Sequence, residues 1–123
     1  MEVSMDKLIE FYRISSDKTR LRILMLLHED ALCVCEIQGI LDVSQPKVSK
    51  HLAKLRDAGF VSTSREDQFI RYALSVGDPV MKEHLQTIRN HIDDYPDLLE
   101  DNRRLSGKED YLRSCGSKRE SGK

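Results

Sequence analysis

No run of apolar residues in this 123-residue chain approaches the roughly 20 that a membrane-spanning helix requires. The opening residues, MEVSMDKLIEF, lack the basic start and apolar stretch of a secretory signal. Both absences place the chain in the cytoplasm, with no membrane partner. Cysteine is scarce: Cys33, Cys35 and Cys115 are an odd number, a poor basis for a disulfide framework, and a cytoplasm keeps them reduced. There is no glycine-rich phosphate loop, no GxSxG elbow and no HExxH pair, and Cys-x-Cys is not the Cys-x-x-Cys of thioredoxins. The chain is therefore read as a protein other than an enzyme. It also lacks an internal repeat and any lysine-rich block, and its net charge is −1. Bulk charge alone thus gives no drive toward nucleic acid.

The distribution of charge says more than its sum. From Ser44 to Arg71 stand Lys47, Lys50, Lys54, Arg56, Arg65 and Arg71 against Asp57, Glu66 and Asp67, net +3. From Val76 to Asp101 stand Asp78, Glu83, Asp93, Asp94, Asp97, Glu100 and Asp101 against Lys82 and Arg89, net −5. One face is suited to meet an anion and another to point away from it. With 39% hydrophobic and 33% charged residues the chain supports one modest core. Domains of this size often complete their burial by pairing.

Met5, Leu8, Ile9 and Tyr12 recur at helical spacing. Ser15, Ser16 and Asp17 offer N-cap chemistry for a second helix, with Leu21, Leu24, Met25 and His28 on one side. A short third helix is expected from Cys33 or Val34 to Leu41, burying Ile37, Ile40 and Leu41. Asp42-Val43-Ser44 breaks it. Pro46 fits the first turn of a fourth helix, where Val48, Leu52 and Leu55 repeat and Ala58-Gly59 closes the segment. Val61–Ser64 and Phe69–Leu74 read as strands of a hairpin around residues 65–68. Asp78-Pro79 opens a last long helix. On it Met81, Leu85, Ile88, Ile92 and Tyr95 alternate spacings of four and three, the seam of a helix pair. Pro96 ends or kinks that helix. The expected fold is mainly α with a small β-hairpin, a winged helix-turn-helix paired as a homodimer through its terminal helices. Residues 1–105 form the domain, and the polar, glycine-bearing residues 106–123 form a disordered tail.

A short helix, a tight turn and a longer helix with polar outward residues make a DNA-reading unit. Outward on the fourth helix are Lys47, Ser49, Lys50, His51 and Lys54, with Ser44 and Gln45 at its amino-terminal end. Glutamine pairs with an adenine edge, serine meets a base or a phosphate, and lysines neutralise phosphates. Arg65 and Arg71 on the hairpin are placed to hold flanking phosphates or to probe the minor groove. The alternatives are a solvated face on a helical bundle and a winged-helix interaction module that binds no DNA.

Cys33 and Cys35 are soft thiols of the kind that selects As(III), Sb(III) or Cu(I). On a regular helix residues i and i+2 lie roughly 200° apart, so two such sulfurs cannot hold one atom without deforming the helix. In an extended or unwound segment they share a face. Ligand binding at this pair therefore favours an unwound start to the helix that supports the reading helix, a coupling between two sites. Small core cysteines and a thiol redox switch are the alternatives, although a disulfide between residues i and i+2 is strained.

The stretch DVSQPKVSKHLAKLRDAGFV (Asp42 to Val61) resembles the ArsR/SmtB family of metal-sensing repressors, as does DKTRLRILMLL (Asp17 to Leu27). ALCVCEI (Ala31 to Ile37) is similar to the cysteine box of the arsenic-responsive members. The resemblance covers about Leu8 to Ser75, and the last helix in pattern only. It implies a homodimer on double-stranded operator DNA that needs no cofactor to bind. It implies release by As(III), Sb(III) or a methylated As(III), or in related branches by zinc or cadmium. It puts Ser44, Gln45, Lys47, Ser49 and His51 on the recognition helix and Arg65, Arg71 and Tyr72 on the wing. Two departures stand out. The wing tip is Glu66-Asp67-Gln68 without the usual glycine, and the third cysteine of some arsenic sensors is replaced by Gln38. Cys115 is then either a third ligand from the tail or an idle thiol. His84 and His91, with Asp94, flank the seam as a partial match to a zinc site. Solvated histidines are the alternative.

Overall fold

The structure, a computed structural model, describes residues 4–108, 110 and 111. Two helices open the chain, α1 (Met5–Ser15) and α2 (Lys18–Glu29). Each starts on a side chain that accepts an otherwise orphaned backbone N–H, Ser4 from Lys7 and Asp17 from Arg20, both at 3.0 Å. A two-residue strand, β1 (Leu32–Cys33), leads straight into α3 (Val34–Leu41). Asp42 ends α3 in the left-handed region, at φ 55°. A tight turn leads to α4 (Gln45–Asp57), with Ser44 at its N-cap and Pro46 in its first turn. Gly59, at φ 85°, reverses the chain after α4. A side chain there would be strained and would also meet the ammonium of Lys7.

The hairpin consists of β2 (Val61–Glu66) and β3 (Phe69–Leu74), joined by Asp67 and Gln68. Asp67 takes φ 57° in place of the expected glycine, which aspartate tolerates better than most residues. The sheet is antiparallel in the order β1-β3-β2, so the wing's second strand lies between its first strand and the segment carrying Cys33.

The expected long terminal helix is two helices, α5 (Pro79–Asn90) and α6 (Pro96–Leu105), separated by a 3-10 turn at Ile92–Asp94. The apolar spacing of four and three identified the inner side of α5 correctly but assigned it to the wrong partner. Met81 and Leu85 are 1% exposed and Ile92 is 7% exposed within a single copy of the chain. They pack into its own core with Ile23, Leu24, Leu26, Leu32, Ile37, Leu52 and Phe60 rather than onto a second subunit. Of the rest of the expected seam, Ile88 is half-buried and Tyr95 is exposed.

Helix α6 locks α3 in place. Arg22 grips the buried Asp101 with two bonds of 2.8 Å and reaches the Leu41 carbonyl at 3.4 Å. Arg104 donates to the Ile40 carbonyl at 3.1 Å. These guanidiniums satisfy carbonyls at the end of α3 that have no partner within the helix. Of the expected tail, Lys108 pairs with Asp30 and Tyr111 packs on Gly39. No helix among the described residues is long and apolar enough to cross a membrane.

Candidate nucleic-acid interface and thiol site

Helix α4 is oriented by its apolar side. Val48, Leu52 and Leu55 are fully buried, which turns Ser44, Gln45, Lys47, Lys50 and Lys54 to solvent and leaves Ser49 half-buried. His51 departs from the expected outward set. It follows Val48 by three residues and precedes Leu55 by four, and it is buried with them. Its Nδ1 lies 3.3 Å from Arg20 Nη1 and its Nε2 3.9 Å from the Asp17 carboxylate. Arg20 in turn donates to the Ile14 carbonyl at 2.8 Å. Burial pushes the His51 pKa down, only partly offset by Asp17. The ring is a neutral latch holding the reading helix against the start of α2, where an arginine donor suits an unprotonated nitrogen. The spacing of residues 48, 51, 52 and 55 carried that signal in the sequence.

Across from the head of α4 stands the wing. Arg65, next to last in β2, is exposed, and Tyr72 on β3 is half-buried opposite Thr63 and Leu32. Between them lies a cleft of about 880 Å³ lined by Ser44, Gln45 and Ser49 of α4 and the residue before it, by Arg65 and Tyr72 of the wing, and by Cys33, Cys35 and Gln38. Arg71, expected to reach outward, is turned inward. It donates to the Ala31 carbonyl at 3.0 Å and lies 3.3 Å from Glu66 and 3.8 Å from the buried Glu36. Its position is that of a brace under the wing.

Cys33 is 2% exposed, with extended backbone, and sits at the N-cap of α3. It forms a reciprocal capping box with Glu36, whose carboxylate accepts the Cys33 N–H at 3.0 Å. The sulfur supplies the weaker half of that exchange. Burial pushes the Cys33 thiol up, and the nearby Glu36 charge pushes it further. Cys35 lies two residues on, in the first turn of α3, half-buried and disulfide-bonded, whereas Cys33 is a free thiol, so the expectation of reduced cysteines does not hold at Cys35. The pair thus straddles a strand-to-helix junction instead of sharing a helix. Cys115 lies outside the described residues. Sequence reasoning missed Glu36, although Cys-x-x-Glu has the spacing of a capping box.

The histidines of the possible zinc site fall on different elements. His84, on α5, shares a 3.1 Å hydrogen bond with Tyr12, while His91, past the end of α5, stands 4.0 Å from Asp94. Among the described residues no three histidine, cysteine or acidic side chains gather closely enough to hold a metal ion.

Residues 17–63 match the family model described as bacterial regulatory protein, arsR family. Over 68 residues the chain is 44% identical to the arsenical resistance operon repressor of Escherichia coli (strain K12), covering 54% of this chain and 58% of that protein. Over 63 residues it is 41% identical to the cadmium resistance transcriptional regulatory protein CadC of Listeria innocua serovar 6a, covering 50% of this chain and 53% of that protein. The chain therefore spans little more than half the length of these two curated relatives. Among solved structures it is similar to reduced HlyU from Vibrio cholerae N16961, with a TM-score of 0.63 and 32% identity over 69% of this chain and 87% of that one. HlyU is described as a transcriptional activator.

Proposed function

The chain belongs to the ArsR family of bacterial regulatory proteins, and from that premise we propose that it is a homodimeric cytoplasmic repressor whose grip on operator DNA is released by trivalent arsenic or antimony at Cys33 and Cys35. The observation that carries this reading is a single cleft. The exposed head of α4, Arg65 of the wing, and both cysteines line the same space. A change at the thiols therefore alters the walls between which DNA docks.

In this reading Ser44, Gln45 and Ser49 meet base edges, while Lys47, Lys50, Lys54 and Arg65 neutralise phosphates, with Tyr72 beside them. His51 and Arg71 contribute by holding α4 and the wing in place. Arsenite, As(OH)₃, exchanges two hydroxyls for two thiols and releases two waters. A thiol that burial keeps protonated, as at Cys33, is thus a competent partner. A methylated As(III) fits two thiols with no third, and Cys115 is an auxiliary ligand at most.

Pairing is assigned to α1 with the outer side of α5. Met5, Ile9 and Tyr12 are exposed on α1 and Val80 on α5, and a hydrogen bond between Tyr12 and His84 joins the two helices.

The disulfide at Cys35 favours a second reading, in which the signal is oxidation. A peroxide removes two electrons and two protons from two thiols, giving a disulfide and two waters. One experiment separates the readings. Reduced protein bound to labelled upstream DNA is titrated, by fluorescence anisotropy, with arsenite, antimonite, methyl-As(III), Zn(II), Cd(II) and hydrogen peroxide. Release at the lowest concentration by the trivalent metalloids is the expected result. Release by peroxide or by Zn(II) and Cd(II) alone would replace the metalloid reading, and no DNA binding at all would end it.

A further inference from the structure

We propose that the pair of buried Glu36 and half-buried Arg71 is the link through which the Cys33–Cys35 segment sets the position of the wing. The pair acts as a positioning device, separate from any effect on the recognition helix. Its arsenic arm rests on the function proposed above, whereas its ligand-free arm does not.

The backbone makes the first connection. Cys33 pairs with Arg71, and Leu32 with Tyr72, across β1 and β3. From β3 the ladder continues to β2 as far as Arg65–Ile70 and Glu66–Phe69 at the tip. The segment carrying Cys33 is thus an edge strand of the wing's own sheet. A strand of two residues is too short to hold its register unaided.

Side chains make the second connection. One oxygen of Glu36 accepts the Cys33 N–H at 3.0 Å and also lies 3.8 Å from Arg71 Nη1. That same Nη1 donates to the Ala31 carbonyl, just before β1, and Nη2 lies 3.3 Å from Glu66 near the tip. Arg71 therefore joins the residue before the strand, the first turn of α3 and the far end of the wing. Glu36 is 1% exposed, and Arg71 is the cation beside its carboxylate. Arg71 Nε is buried with no hydrogen-bond partner among the described residues. A native structure seldom leaves such a donor unsatisfied, and here the side chain sacrifices it to keep both ends engaged.

Closing a ring through the sulfurs of Cys33 and Cys35 requires the junction to change, because one residue is extended and the other helical. The Cys33 N–H then leaves Glu36. The carboxylate shifts against Arg71, and β3 moves with both. The displacement reaches Arg65 on the far side of the cleft that Gln45 shares.

The test uses isotope-labelled full-length protein in reduced form, without DNA, titrated with sodium arsenite and followed by amide NMR. Four proteins are compared: wild type, Glu36→Gln, Arg71→Lys and Arg71→Met. Glu36→Gln keeps an acceptor for the Cys33 N–H while removing the charge that faces Arg71. Wild-type amides at Arg65, Glu66 and Asp67 are expected to shift with arsenite. In Glu36→Gln and Arg71→Met arsenite still binds, within about 3-fold of wild-type affinity, but the tip shifts largely vanish, as expected when a coupling is cut and a site is left intact. Arg71→Lys restores part of the response. Without any ligand, β1–β3 ladder amides exchange about 10-fold faster in Glu36→Gln and Arg71→Met, a local opening that leaves α4 and α5 protection unchanged. Tip shifts equal to wild type in variants that bind arsenite would overturn the link. So would a wild-type tip that stays still while arsenite binds, although the proposed function would survive that result. If arsenite does not bind wild type, the proposed function fails instead. The link is then judged on ligand-free exchange, where wild-type ladder protection in both variants overturns it.

Discussion

Burial of the His51 ring between Arg20 and Asp17 makes the seating of the recognition helix sensitive to acid. Its folded pKa lies below its unfolded value of about 6.5, so below that pH the unfolded chain binds more protons and stability falls as pH drops. Thermal unfolding measured from pH 7.5 to pH 5 should therefore show a loss that His51→Gln reduces. An equal slope in the variant would remove His51 from the account. A second residue, Gly39, is governed by its neighbour. A Cβ there would lie 2.1 Å from Cδ1 of Tyr111. Alanine is otherwise worth about 1 kcal/mol over glycine inside a helix. Gly39→Ala should consequently destabilise the wild-type protein but stabilise a Tyr111→Ala protein, a reversal of sign that denaturant titration can read. The same sign in both backgrounds would mean that Tyr111 does not press on α3. Of the outward residues expected on α4, Lys47, Lys50 and Lys54 face solvent, Ser49 is half-buried and His51 is buried, because lysine follows solvent whereas histidine is at home on either side. Arg71 was misplaced for a related reason: its inward turn depends on Glu36 and Ala31, which lie at least 35 positions earlier in the chain.

At the scale of elements, the proposed function makes α4 and the wing one cationic frame. Lys50→Ala should weaken operator binding and lower the slope of log affinity against log salt by about 1, the effect of losing one phosphate contact. Arg65→Ala should do the same if the wing touches the backbone. An unchanged slope in either variant takes that side chain out of the interface. The order of helices, the tight turn and the hairpin were legible because caps, Pro46 and Gly59 mark their ends locally. Strand β1 was not, since two residues show no alternation and their partner strand is about 40 positions away. The break in the terminal helix was only half legible. Pro96 was read as a stop or kink, but the helix already ends at Asn90 and turns through Ile92–Asp94. The apolar periodicity runs on through that turn because the core continues past it.

For the whole molecule, the helical set read on α1 proves to lie mostly outside. Met5, Ile9 and Tyr12 stand at 73%, 45% and 44% exposure, while Phe11 and Ile14, which that set did not include, enter the core. In the proposed function a second copy covers the three exposed side chains. Ile9→Glu would bury an unpaired charge there, costing about 3 kcal/mol or more, so the dimer should dissociate at least 100-fold more readily in sedimentation. A dimer of unchanged affinity would move the interface elsewhere. The claim joining this assembly to its chemistry is that the Cys33–Cys35 junction controls DNA docking. Its most direct test is operator release by arsenite from the reduced wild-type protein, Cys33→Ser and Cys35→Ser, followed by fluorescence anisotropy. Serine preserves size but replaces a soft thiol with a hard hydroxyl, so all three proteins should bind operator alike while only the wild type lets go. Release of both variants at the wild-type arsenite concentration would contradict the account.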